Sequence, residues 1–165
     1  MLLDRQSLGY GAAPVLTGVS FALAPGERVA LLGCSGAGKT TLLDALYDAL
    51  LAEGNRVALV PQEQGLVPQL SVLRNALMGR LDDHGALYNL TNLLRPRAKD
   101  RAGVGEVLSI LGLSSQTDRT VEGLSGGQKQ RVALARALWR GGDVLLGDEP
   151  VSALDETQGS EVLNH

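Results

Sequence analysis

Aromatic side chains are scarce in this sequence: one Trp, one Phe and three Tyr in 165 residues. The chain is therefore poor in ring stacking. A single cysteine, Cys34, rules out a disulfide framework within the chain. No apolar run exceeds a few residues, Val29-Ala30-Leu31-Leu32 being typical, so nothing here spans a bilayer. Asp4 and Arg5 come early and no long apolar stretch follows them, which argues against a secretory signal. Basic charge is not in excess: 15 Lys plus Arg against 18 Asp plus Glu leave −3. A general nucleic-acid binder would need a basic face, so that class is disfavoured. With 44% apolar and 20% charged residues the chain is not disordered. A soluble, intracellular, single-domain protein is the expectation that remains.

What the chain has in abundance is glycine: 21 residues, against a typical ~7%. They form no single low-complexity block. They cluster at 33–38, 123–127 and 141–147, each beside an apolar run, as loops built for close approach would. The first 25 residues read as two short strands, the second ending at Pro25-Gly26. Arg28–Leu32 predicts a buried strand. Gly38–Leu51 predicts a helix with Leu42, Leu43, Leu46 and Leu50 on one face, ended by Gly54-Asn55. Arg56–Val60 predicts a further strand. A mainly helical stretch from about Leu70 to Leu113 is broken by Pro96. Ser125–Trp139 predicts a helix and Asp143–Gly147 a short strand. This order implies an α/β fold with a parallel sheet and an inserted helical subdomain.

Gly33-Cys34-Ser35-Gly36-Ala37-Gly38-Lys39-Thr40 fits G-x-x-x-x-G-K-[ST]. The glycines let successive N–H groups turn toward phosphate oxygens, and the following helix adds its positive end. Lys39 reaches the β- and γ-phosphates, and Thr40 offers a hydroxyl to Mg²⁺. Val144–Gly147 then delivers Asp148 and Glu149 to the carboxyl end of a strand, where open parallel sheets bind ligands. Asp148 can hold Mg²⁺, and Glu149 can orient an attacking water. Pro150 keeps Glu149 out of helical conformation. Leu124-Ser125-Gly126-Gly127-Gln128 contains a capping box, Ser125 to Gln128, that starts a helix. A capping box does not explain Gly126 and Gly127, which would make that helix end a second anion site. A single nucleotide rarely needs two such ends from one chain.

Leu124–Gln128 resembles the signature of ATP-binding cassette (ABC) ATPases. Ser152-Ala153-Leu154-Asp155 resembles the family's D-loop, Gln62 its Q-loop glutamine, and Tyr10 stands where the family places an adenine-stacking aromatic. The resemblance implies a P-loop NTPase with a RecA-like parallel sheet: one ABC ATPase domain over 1–165, with a nucleotide-binding core at about 1–65 and 126–165 and a helical subdomain at about 66–125. It implies ATP and Mg²⁺ as cofactors. Glu149, Gln62 and Lys39 take catalytic roles, and Thr40, Gln62 and Asp148 the metal. Tyr10, the phosphate loop through Thr41, and Ser125, Gly126, Gly127 and Gln128 of a second cassette take the nucleotide. The implied partners are that second cassette, paired head to tail, a membrane permease and, indirectly, a solute-binding protein. No nucleic acid is implied, and the implied location is the cytoplasmic face of the plasma membrane.

Gln62–Leu81, with its Leu-Ser-Val, Asn75 and Gly79-Arg80-Leu81, resembles the phosphonate-importer ATPases, although cassettes for amino acids and other oxyanions share part of it. Two features depart from the family. Only 22 residues separate Lys39 from Gln62, fewer than is usual. His165 follows Asp155 too closely to be the switch histidine, so the sequence is expected to be incomplete at its C-terminus relative to the family. A nucleotide-dependent clamp with little turnover, or a soluble cassette acting on DNA or ribosomes, are the rival readings. Elsewhere, Cys34 is read as a small spacer, His84 as surface, Trp139 with Leu138 as packing, and Arg95, Arg97, Lys99 and Arg101 as a solvated basic loop around Pro96.

Overall fold

The computed structural model describes residues 2–11, 13–62 and 64–148. Two antiparallel strands come first, β1 (Leu3–Leu8) and β2 (Leu16–Phe21). Their register shifts twice. At the first shift Arg5 takes φ 47° and its N–H donates to the Ser20 hydroxyl instead of to a backbone carbonyl. This is the local signature of a β-bulge.

Helix α1 (Lys39–Ala52) follows the glycine loop. It buries Leu46 and Leu50, with Leu42 and Leu43 partly buried beside them, as the leucine spacing predicts. It ends where Gly54 adopts φ 84° and the N–H of Asn55 returns to the Leu50 carbonyl. That left-handed exit is open to glycine without a Cβ penalty.

Strand β3 (Val57–Val60) pairs in parallel with β4 (Val144–Gly147), in register from Val57 opposite Val144 to Val60 opposite Gly147. Between them lie α2 (Val72–Leu77), a tight 3₁₀ segment (Met78–Asp83), α3 (Ala86–Leu94), α4 (Ala98–Ile110) and α5 (Gly126–Arg140). Pro96 falls between α3 and α4, where its missing N–H does no harm. No helix among the described residues is long and apolar enough to cross a membrane.

Successive side chains of a strand point to opposite faces, and β3 uses this to divide the interior. Val57 joins Leu3, Leu8, Leu46, Leu50 and Leu146 in one cluster. Ala58 and Val60 join a larger one built from α2, α4 and α5. Trp139 packs at the edge of the larger cluster, against Gly103 and under the Arg80 guanidinium, 4.0 Å from the ring centre. Its reading as packing holds, and His84 is exposed as expected, stacked on Tyr88.

Two expectations are corrected. Arg28–Leu32 forms no strand. Leu32 is 93% exposed, and β3 and β4 pair with each other without bonding to it. Apolar content signals burial, but a strand also needs a neighbour to complete its hydrogen bonds. The basic residues around Pro96 are not all loop: Lys99 and Arg101 lie in the first turn of α4, and Arg101 pairs with Asp118 at 3.0 Å.

Candidate functional site

The glycine loop is shaped by backbone conformation. Gly36 has φ 79° and Gly38 φ 88°, the left-handed region that L side chains avoid. Gly38 is the N-cap of α1 and has no side chain to satisfy the first-turn N–H groups. Unpaired first-turn donors and the positive end of a helix are the features that suit an anion. The Lys39 ammonium donates to the carbonyls of Gly33 at 2.9 Å and Cys34 at 3.1 Å, so it lies over the loop. Cys34 is exposed.

The Thr40 hydroxyl donates to the Asp148 carboxylate at 2.8 Å, across 108 positions of sequence. The N–H of Asp148 donates to the Val60 carbonyl, which extends the β3–β4 ladder by one residue and places the carboxylate at the sheet's carboxyl end. A hydroxyl and one carboxylate are hard oxygen donors of the kind Mg²⁺ takes when phosphates and water complete its shell. Among the described residues no group of three or more His, Cys, Asp or Glu could hold a metal on its own. The donor set thus fits an ion shared with a phosphate.

Gln62 and Asp148 line the same small cleft, together with Val60, Pro61, Gln64, Gln130 and Ala133. Tyr10 is 69% exposed. Its hydroxyl donates to the Asp44 carboxylate on α1, with the Thr41 hydroxyl alongside. This bond to a carboxylate, with the charge of Asp44, raises the phenol's pKa above its ordinary value.

At the start of α5 both halves of the capping box are formed. The Gln128 N–H donates to the Ser125 hydroxyl at 3.3 Å, and the Ser125 N–H donates to the Gln128 side-chain oxygen at 3.0 Å. Ser125 and Gly126 are exposed, and nothing lies within 4 Å of where a Gly126 side chain would stand.

The structure therefore brings together Thr40, Asp148 and Gln62, and it keeps Lys39 on the loop. It seats α1 in the cluster with β1, and α5 in the other cluster, on the opposite face of β3. Glu149, Pro150, the Ser152–Asp155 loop and His165 lie outside the described residues. Sequence reasoning missed Gln130, Asp44 and Arg136. Gln130 carried a usable signal, because it shares a helical face with Ala133. Asp44 had none, since its contact with Tyr10 spans 34 positions.

A family model described as ABC transporter matches residues 16–152. The phosphonates import ATP-binding protein PhnC of Pseudomonas putida is 40% identical over 175 residues, covering 93% of this chain and 64% of its own length. An aliphatic sulfonates import ATP-binding protein, SsuB 3 of Nocardia farcinica, is 43% identical over 88% of this chain and 56% of its own. The chain thus spans under two thirds of the length of these relatives. Among solved structures, a dimeric bacterial ABC transporter cassette superposes with a TM-score of 0.76 at 24% identity, covering 96% of this chain and 78% of that one, a likeness of fold.

Proposed function

The chain belongs to the ABC transporter family, and from that premise we propose that it binds and hydrolyses ATP as the motor subunit of an importer for a small organic oxyanion. The observation that carries this reading is the 2.8 Å bond between Thr40 and Asp148, which joins the phosphate loop to the strand end where a catalytic carboxylate would follow.

ATP is the substrate. The N–H groups of the loop and of the first turn of α1 receive its phosphates, and Lys39 moves from the loop carbonyls to the β- and γ-oxygens. Thr40 and Asp148, with Gln62 in the same cleft, would hold Mg²⁺, which neutralises charge between the phosphate oxygens. Gln62 places its amide beside the γ-phosphate. Glu149 orients and polarises the attacking water. Tyr10, near the start of α1, packs against the adenine. Ser125 to Gln128 serve a second copy: the buried faces of α1 and α5 pack on opposite sides of β3, and two chains set head to tail would bring the phosphate loop of one and the α5 end of the other to a single nucleotide. The dimeric cassette of like fold supports that pairing. A membrane permease, a solute-binding protein and a place at the cytoplasmic membrane face complete the reading. The proposed solute is a phosphonate, the cargo named for the PhnC relative. A sulfonate, named for the SsuB relative, shares the same tetrahedral oxyanion chemistry.

Equilibrium titration with ATP, with and without magnesium, tests the site. Lys39→Ala is expected to weaken binding about 10- to 100-fold, the worth of charge-assisted hydrogen bonds to phosphate. Asp148→Asn should remove the magnesium dependence while leaving metal-free binding near the parent value. Parent protein that gives no saturable ATP binding in magnesium would refute the reading.

A further inference from the structure

We infer that Arg136 is a positioning residue that makes the Gln62 segment and the signature end of α5 respond to nucleotide as one body. The inference rests on the ATP-site reading above and adds a residue to it. Arg136 lies in the middle of α5, half-buried. Its guanidinium donates to the Gln64 carbonyl at 2.6 Å and to the Gly65 carbonyl at 2.8 Å. It has no ion pair among the described residues. Desolvation lowers its pKa, so its charge is held at a cost, and its partners among the described residues are two backbone carbonyls. The planar fork of Arg meets two adjacent acceptors with two separate nitrogens held in fixed geometry.

The two carbonyls belong to residues 64 and 65, shortly after Gln62, and Gly65 adopts φ 54°. Ala133, one turn before Arg136, lines the cleft beside Gln62 together with Gln130. From Arg136 back to the Ser125 cap runs a continuous helix, about 16 Å at ~1.5 Å per residue. A displacement of Gln62 toward a γ-phosphate therefore pulls on two carbonyls, on Arg136, and through a stiff helix on the exposed Ser125–Gln128 end. The far side of the same segment is held by Asn75, whose amide bonds Val67. Arg136 thus holds the segment from the α5 side.

Amide hydrogen exchange on the parent, Arg136→Met and Arg136→Lys, each with and without Mg·ATP, tests this, with ATP affinity titrated in parallel. In the parent, nucleotide should slow exchange at 64–67 and at 124–128. In Arg136→Met, affinity should stay within about twofold of the parent, because the residue touches no phosphate. The response at 124–128 should then fall at least about fivefold. Arg136→Lys, whose shorter side chain lacks the two-nitrogen fork, should keep at most half of it. If Arg136→Met does not fold, Arg136→Lys decides: half the response or less supports the link, and a full response overturns it. Normal ATP binding with an undiminished response at 124–128 in Arg136→Met overturns the link and leaves the proposed function standing. Absence of ATP binding in the parent overturns the proposed function and this inference with it.

Discussion

Replacing Asn75 by Leu removes an amide that the fold buries completely, at 0% exposure. Its oxygen accepts from the Val67 N–H at 2.8 Å, and its nitrogen donates to the carbonyls of Val67 (3.0 Å), Leu70 (3.2 Å) and Ser71 (3.1 Å). These four contacts are not equal losses. Each of the three carbonyls has a second donor: Leu70 N–H for Val67, Val121 N–H for Leu70, and the Asn75 N–H for Ser71. Only the Val67 N–H is left with nothing to replace the side chain. One orphaned donor costs about 1–3 kcal/mol, and the other lost bonds add about 0.5–1.5 kcal/mol. The expected destabilisation is therefore ~2–4 kcal/mol, read as a lower urea midpoint at unchanged slope. Exchange of the Val67 amide should accelerate by more than the global loss explains. Asn75→Asp keeps an acceptor for Val67 but turns a second oxygen toward three carbonyls, so at neutral pH it should be worse than Leu. A loss below about 0.5 kcal/mol for Asn75→Leu, or an unchanged Val67 amide, would refute the reasoning.

Two further outcomes are expected elsewhere. A methyl group at Gly79 would stand 2.2 Å from the Arg136 carbonyl, a backbone atom inside a packed helix. Gly79→Ala should cost ~1–3 kcal/mol or more by overpacking, and a urea midpoint equal to the parent's would show that α5 yields freely. Tyr10 should ionise above the ordinary tyrosine range because its hydroxyl donates to the Asp44 carboxylate. The bond's contribution is present below the ordinary tyrosine pKa and is lost as pH rises through the raised value. An ultraviolet titration, read as the difference between the parent and Tyr10→Phe, should show this, and Asp44→Asn should bring the midpoint down. An unmoved midpoint would place Tyr10 away from Asp44 in solution.

Much of this arrangement was legible in local sequence. The motif Gly33–Thr40 announced both the loop and the helix behind it, because left-handed glycines and a helix N-terminus are local requirements. The leucines of α1 gave its buried face, and Ser125 with Gln128 gave a capping box that the structure forms on both sides. What escaped was non-local. The run Arg28–Leu32 looked like a strand because its composition is that of one, yet pairing depends on a neighbour that composition does not describe. Arg136 looked like one more charge on an amphipathic helix. Its partners are two backbone carbonyls 71 and 72 positions away, and carbonyls carry no residue identity to read. The bond from Tyr10 to Asp44 was hidden for a similar reason: either side chain alone is an ordinary exposed polar group.

The position of β3 explains how a fold of this size keeps the buried faces of α1 and α5 in separate clusters. Its four residues are nearly all buried. Val57 faces the cluster that contains α1, while Ala58 and Val60 face the cluster that contains α5. A strand buried on both sides cannot slip by one residue without sending each of these side chains into the wrong cluster. The parallel ladder with β4 fixes the same register from the other edge and sets Asp148 beside Val60. The Thr40–Asp148 bond then ties α1's first turn to that strand end, whereas α5 is tied to the segment after Gln62 through Arg136. Each helix end is therefore referenced to a different residue beyond the same short sheet. A nucleotide held at Lys39 and Thr40 would therefore reach α5 through the segment after Gln62. The proposed head-to-tail pairing gives the exposed Ser125–Gly126 end a nucleotide to meet on a neighbouring copy.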